Sequence, residues 1–276
     1  MAVSDRTKNV GRHVVLLVWA FVCLAPLCWI GFMSLKPPGH ALDLPPKWVF
    51  LPTVYNYMQL ANDPSFVHAL TNSLISVTAS VIIVLVVGVP GAYVLSRYDV
   101  PKKPDVLIWI LSSRMLPPIA VVIPFFVIFR TFHLYDTLVG LVFMYVTINI
   151  ALVVWVMKAF FDGIPQSLEE AALVDGATRS QAFRKVVLPS ALPGIISVAI
   201  ISFIFAWIEL LFSLILTNNH AQTLSLAVYG FIGSRNIEWS MLAAASMTMI
   251  IPVLVLLVAA NRYLASGLSF GAVLKE

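Results

Sequence analysis

Charge is what this chain has least of. Asp, Glu, Lys and Arg make up 11% of its 276 residues, while 60% are hydrophobic and the mean hydropathy is +0.95. A soluble domain with that balance would leave a large apolar surface in water, so the composition predicts an integral membrane protein. Cysteine is nearly absent. Cys23 and Cys28 lie five apart in one apolar run, point to different faces of a helix, and cannot bridge each other, which excludes a disulfide framework. The five histidines, His13, His40, His68, His133 and His220, are scattered, with no H-E-x-x-H pair or other metal-ligand spacing. They read as loop or interface residues, and neither a metal site nor a metalloenzyme is expected. No G-x-x-x-x-G-K-[ST] phosphate loop occurs either. The net charge of +4 would suggest nucleic acid in a soluble chain, but here Lys and Arg are dispersed into short loops and no nucleic-acid module is present.

What is present is long apolar runs. Crossing the hydrocarbon core takes about 20 apolar residues in a helix, and six segments qualify, near 14–35, 70–96, 106–129, 138–160, 194–217 and 242–261. The expected fold class is therefore all-α, a single membrane domain over 1–276 with no internal repeat or linker. The first run follows Arg6, Lys8 and Arg12 but exceeds a signal core and lacks an A-x-A-like site, so it reads as a retained helix. Twelve of the seventeen Lys and Arg fall at the termini, at 97–105 and in 158–193, against Lys36, Lys47, Arg130 and Arg235 on the other side and Arg114 inside a span. That bias predicts both termini in the cytoplasm. Residues 36–69, rich in proline and aromatics, should form an outer lid, and the outer loop 218–241 carries its own apolar run, LSLAVYGFI.

The polar stretch 161–193 faces the cytoplasm in this topology. Ser167 and Glu170 have the spacing of a capping box, so a helix should begin after Ser167, with Pro165 ending the preceding segment. Gly176 can take the positive φ that closes it, and Thr178 with Gln181 offers a second box starting a helix that runs to about Leu188. Ala171 and Ala172 make one side of the first helix smooth, and Glu169, Glu170 and Asp175 supply three carboxylates. A helix, a sharp bend and a helix on the membrane surface could fit a groove in a soluble partner.

Glu170-Ala171-Ala172, three residues, Gly176, nine residues, Val186, one residue and Leu188-Pro189 resembles the EAA loop of binding-protein-dependent ABC importers, with Val186 where that pattern has isoleucine. The segments VYNYMQL, LTNSLISV, MLPPIAVVIPFF, YDTLVGLV, FIFAWIELLFSLIL and GLSFGAVLKE look like carbohydrate-importer permeases, the group containing the smaller maltose-importer permease. The resemblance implies a type I-like importer architecture and one half of a heterodimeric channel in a bacterial or archaeal cytoplasmic membrane. It implies as partners a second permease subunit, two copies of a cytoplasmic ATPase that hold the ATP and Mg, an extracytoplasmic solute-binding protein and a sugar or polyol. No cofactor is expected on this chain, which would be a transport subunit and not an enzyme. Glu170, Ala171, Ala172 and Gly176, with Asp175 beside them, become the expected ATPase-coupling residues, and Leu188 and Pro189 set the return of the loop. The rival reading is an autonomous secondary transporter or channel, for which intramembrane charge is the relevant feature.

Polar groups at membrane depth are the expected markers of a solute path, because they are costly against lipid. At ~1.5 Å per residue, Arg114 lies ~12 Å and Glu209 ~22 Å from the cytoplasmic ends of their spans. Tyr145 and Asn149 are four apart and share a helix face. The four form the candidate path, with packing against neighbouring helices as the alternative for Tyr145 and Asn149. The difference in depth argues against direct pairing of Arg114 with Glu209 unless the spans break at Pro117 and Pro118.

Overall fold

The computed structural model describes residues 2–45, 47–232 and 237–270, with side chains over 12–45, 47–232 and 237–260. Arg6, Lys8, Arg235, Arg262 and Lys275 of the orientation count, and the side chains of the tail GLSFGAVLKE, lie outside that description. Among the described residues the secondary structure is helical throughout. The helices are α1 (Ala2–Ser34), α2 (Tyr55–Asn62), α3 (Pro64–Arg97), α4 (Lys103–Met115), α5 (Pro118–Thr131), α6 (Leu138–Asp162), α7 (Gln166–Val174) and α8 (Arg179–Ala182). A π turn over Phe183–Val187 then leads into α9 (Leu188–Ser190), followed by α10 (Leu192–Trp207), α11 (Leu211–Leu216), α12 (Leu224–Gly230) and α13 (Trp239–Phe270).

Four of these are single helices long and apolar enough to cross a membrane, over Arg12–Ser34, Pro64–Arg97, Leu138–Asp162 and Trp239–Ala260. The third and fifth expected spans are not continuous. At 106–129 the chain breaks between α4 and α5 with a 95° bend. Leu116 is extended, as a residue before proline prefers, and Pro118 starts α5 at a position where its missing N–H costs nothing. At 194–217 the helix stops at Trp207 and restarts at Leu211. There the Glu209 carboxylate accepts from the backbone N–H groups of Phe212 and Ser213, at 2.9 and 3.1 Å, and starts the new helix.

Contacts divide the chain into two compact units. One comprises the residues up to Val67 together with Val228–Ile251, and so holds most of the segment 36–69 expected to form a lid. In it, Asn56 Nδ2 donates to the carbonyls of Ser34 and Lys36, both at 2.9 Å, fixing α2 against the end of α1. The other, His68–Ala227 with the chain from Pro252 onward, holds both candidate sites. Its main core joins α3, α6, the π turn and α10 through Val84, Ala92, Tyr93, Val153, Met157, Phe161, Val187 and Val198. A Cβ on Gly194 would stand 2.6 Å from the Phe160 ring, so only glycine lets the start of α10 seat so closely on α6. Phe161, Ile164, Val187 and Ala191 of the loop 161–193 are thus part of the membrane-helix core, and the loop is carried by it.

Candidate functional site

Two places in the second unit merit description, the surface element α7–α9 and a cavity beside the broken helices.

Helix α7 starts at Gln166 with Pro165 as its cap residue, earlier than the Ser167–Glu170 spacing suggested, and no side chain caps it. Pro165 takes the cap position with ψ 130°, and its carbonyl accepts from Leu168 N–H at 3.3 Å, so Ser167 is already inside the first turn and the box does not form. The end of α7 follows the expected chemistry. Gly176 has φ +86°, its N–H donates to Leu173 O at 3.1 Å, and Ala177 N–H donates to Ala172 O at 3.0 Å, a Schellman closure. Thr178 and Gln181 then form a reciprocal capping box: Thr178 N–H donates to Gln181 Oε1 at 2.8 Å and Gln181 N–H to Thr178 Oγ1 at 3.3 Å. The helical path continues to Ser190, with Leu188 half-buried and Pro189 exposed, and bends by 71° into α10.

The faces of α7 divide sharply. Glu169, Ala172 and Leu173, at the i, i+3, i+4 spacing of one face, turn toward the protein, while Glu170, Ala171, Val174, Asp175 and Gly176 are exposed. Ala171 and Ala172 therefore do not share the single smooth side expected for them, since adjacent helix positions lie about 100° apart. Val174 is 87% exposed, an apolar residue at the tip beside Asp175. Glu169 is the buried acid. Its Oε2 lies 3.4 Å from Nε of Arg97, its Oε1 accepts from the Tyr93 hydroxyl, and the Arg97 and Glu169 side chains are 6% and 11% exposed. Arg97 Nη2 also donates to Ile164 O at 2.7 Å. The last turn of α3 thus grips both the base of α7 and the chain just before it. In the sequence Glu169 is one of three carboxylates in and next to α7, and nothing local pairs it with Arg97 or Tyr93. The only sequence signal for this clamp is an Arg closing an apolar span.

The cavity measures about 430 Å³ and is lined by Ser113, Arg114, Phe125, Thr147, Ile148, Phe205 and Glu209, among others. Arg114 and Glu209 line it together because both spans break beside it. They do not pair. Arg114 Nε donates to Ile148 O at 3.3 Å and the guanidinium lies 5.0 Å from the Phe205 ring centroid. Glu209 is occupied by the amides that start α11, and its own carbonyl accepts from Ser225 Oγ at 2.6 Å. Behind it the hydroxyls of Ser213 and Thr223 meet at 2.5 Å, and Thr223 and Ser225 at 3.0 Å, leaving a buried hydroxyl chain. Tyr145 and Asn149 do share a face of α6, but it is the packed one. Both are 1% exposed, and Asn149 Nδ2 donates to Tyr145 O at 3.0 Å. The residues α6 presents to the cavity are Met144, Thr147 and Ile148. A cavity lined by a guanidinium that makes no ion pair among the described residues, two hydroxyls and phenyl walls can hold a polyhydroxylated solute through hydrogen bonds and ring contacts. No group of His, Cys, Asp and Glu suited to a metal occurs among the described residues.

One further polar knot was not foreseen. Asp136, at φ 54°, accepts from the N–H groups of Asn218, His220 and Ala221 at 2.8, 3.1 and 2.9 Å, tying the start of the 218–241 loop to the connection before α6. Partial burial pushes its carboxyl up, but the amides of Ala221, Asn218 and His220 outweigh that and hold it below its ordinary value.

Residues 88–269 match the family described as binding-protein-dependent transport system inner membrane component. Across 91% of its length the chain is 38% identical to the trehalose transport system permease protein SugB of Mycobacterium tuberculosis, covering 92% of that protein. It is 30% identical to the diacetylchitobiose uptake system permease protein NgcG of Streptomyces coelicolor, over 98% of this chain and 90% of that one. In fold it matches a chain of a bacterial ABC transporter involved in import of the acidic polysaccharide alginate, with a TM-score of 0.74, 24% identity, and coverage of 95% and 98% of the two chains.

Proposed function

This chain belongs to the binding-protein-dependent transport system inner membrane components, the permease subunits of ABC importers, and from that premise we propose that it forms half of a channel for a sugar or sugar alcohol. In this reading a second permease completes the channel, two copies of an ATPase bind on the cytoplasmic side, and an extracytoplasmic protein delivers the solute. Both termini are cytoplasmic. ATP and Mg stay on the ATPase, and this chain contributes the coupling element. The named relatives, permeases for trehalose and diacetylchitobiose, support a saccharide as the cargo.

The observation that carries the proposal is the build of α7. A nine-residue helix presents Glu170, Ala171, Val174 and Asp175 outward, on a base fastened to α3, while Ile164 before it and Val187 and Ala191 after it belong to the core of α3, α6 and α10. A rigid knob of that form moves the membrane helices when a partner moves it. Arg114 and the hydroxyls beside it serve the solute path, and Glu209 shapes it by holding the break between α10 and α11.

Reconstitution tests this. The chain, co-expressed with a candidate second permease, ATPase and binding protein from the same organism, should take up a labelled disaccharide or polyol in vesicles only when ATP and the binding protein are both supplied. Ion-driven uptake by the chain alone would overturn the proposal.

A further inference from the structure

Lys36, two residues past the end of α1, is 3% exposed. Among the described residues no carboxylate lies within ion-pairing reach of it. Withdrawing a lysine almost wholly from water without an anion is costly, and what the fold supplies is aromatic: Nζ stands 5.4 Å from the Phe32 ring centroid and 5.7 Å from that of Phe50. Ring faces attract a cation but do not accept all three of its N–H bonds. The nearby Asp43 is already engaged, since its Oδ2 lies 3.0 Å from Lys47 Nζ and 3.0 Å from His40 Nδ1. Lys36, His40, Asp43, Lys47 and Phe50 line an open cavity of about 230 Å³. Two ammonium groups and an imidazole face it against one carboxylate, so the cavity attracts anions. Its volume is several times the ~30 Å³ share of one water, enough for a compact oxyanion with a bridging water.

The surroundings say which anion. Trp48 packs edge-on against Trp29 at 5.5 Å, and Phe50 against Phe32 at 4.8 Å, so the chain at 47–50 folds back onto the end of α1. Trp29 and Trp48 remain 42% and 65% exposed. Exposed tryptophans at the end of a span mark the headgroup level of a bilayer, and α1 below them is exposed along Val14–Leu24. We propose that this pocket binds a phosphate ester, the headgroup phosphate of a phospholipid in the outer leaflet, with Lys36 and Lys47 as its charge partners. The acyl chains lie along the exposed flank of α1. The lipid would hold the outer segment to the bilayer surface and neutralise Lys36. The inference rests on the permease reading only for placing residues 36–69 outside.

The test reads bound lipid and not transport, so its failure is distinct from failure of the permease reading. The assembled complex is released from nanodiscs containing phosphatidylglycerol and the phospholipid retained is counted by native mass spectrometry. Lys36→Met, which keeps the apolar stem, should reduce retention about tenfold or more, the worth of a charge-assisted hydrogen bond. Lys36→Gln, a polar replacement, keeps the comparison valid if Lys36→Met assembles poorly. A second arm titrates inorganic phosphate. Phosphate binding that depends on Lys36, without lipid retention, would overturn the lipid source while keeping the anion chemistry. Equal lipid retention in wild type and both variants, or crosslinking of Lys36 to a carboxylate of a protein partner, would overturn the proposal.

Discussion

Glu169→Ala would remove the acid that fastens α7 to α3 and leave α7's outward face chemically unchanged. The Arg97 and Glu169 side chains are 6% and 11% exposed, so the charge left behind has little access to water, and losing one member of such a pair costs about 3–5 kcal/mol. Arg97 keeps its bond to Ile164 O, which favours the lower end, and the Tyr93 hydroxyl loses its acceptor, which acts in the opposite direction. The cost falls on a local opening, because the rest of the loop stays embedded through Ala182, Val187 and Ala191. Amide hydrogen exchange of α7 in the detergent-solubilised complex should therefore accelerate by about two to four orders of magnitude. The amides of α6 should not change. ATP hydrolysis should continue while uptake per ATP falls, because a loosened knob yields before the membrane helices move. Arg97→Met with Glu169→Leu should recover much of the protection, since apolar replacement of a buried pair is close to neutral. Exchange in α7 of Glu169→Ala within about threefold of wild type would refute the clamp, whatever transport did.

Gly176→Val forces a β-branched residue to φ +86° at a position with open space around the new Cβ, so the cost of about 1–3 kcal/mol is backbone strain alone. Uptake should fall more than the amount of assembled complex, and an equal fall in both would remove the coupling argument. Glu209→Gln leaves one oxygen for two amide donors, so Phe212 or Ser213 should lose exchange protection, at a cost of about 1–3 kcal/mol, and uptake per complex should change. Normal protection together with normal uptake would reject both the cap and the path-shaping role. Asp136 has a folded value below 3.8, so the stability it gives the loop start is complete above 3.8 and is lost as pH falls through the depressed value. The amides of Asn218, His220 and Ala221 should stay protected at about pH 5 and open in acid, and Asp136→Ala should open them at both. Protection that is independent of pH in the wild type would contradict this.

The parts of the fold set by local chemistry could be read in advance. Gly176 takes the positive φ, and Thr178 and Gln181 close their box because each motif is complete within four residues. What depended on distant partners could not. Glu169 and Glu170 are identical neighbours in sequence, and only the position of Arg97, seventy-two residues earlier, decides that the first is buried and the second exposed. In α6, apolar on nearly every side, the Tyr145–Asn149 spacing identified a face but not whether that face meets helices or a cavity. Pro117 and Pro118 were visible as a possible kink and lie at the 95° break, but that Arg114 and Glu209 line one cavity also depends on the second break, between α10 and α11, where Glu209 itself caps the new helix. Helix α7 begins at Gln166 and not after Ser167, since the Pro165 carbonyl already accepts from Leu168 N–H at 3.3 Å and Ser167 lies within the first turn.

If α7 couples transport to ATP hydrolysis, the ATPase must dock on it. A photoreactive amino acid placed at Val174, the exposed apolar tip of α7, should crosslink to the ATPase in the assembled complex, and Glu170→Lys in the same chain should abolish both the crosslink and ATPase co-purification while membrane insertion is unchanged. An ATPase that co-purifies undiminished with Glu170→Lys and never crosslinks to position 174 would contradict it.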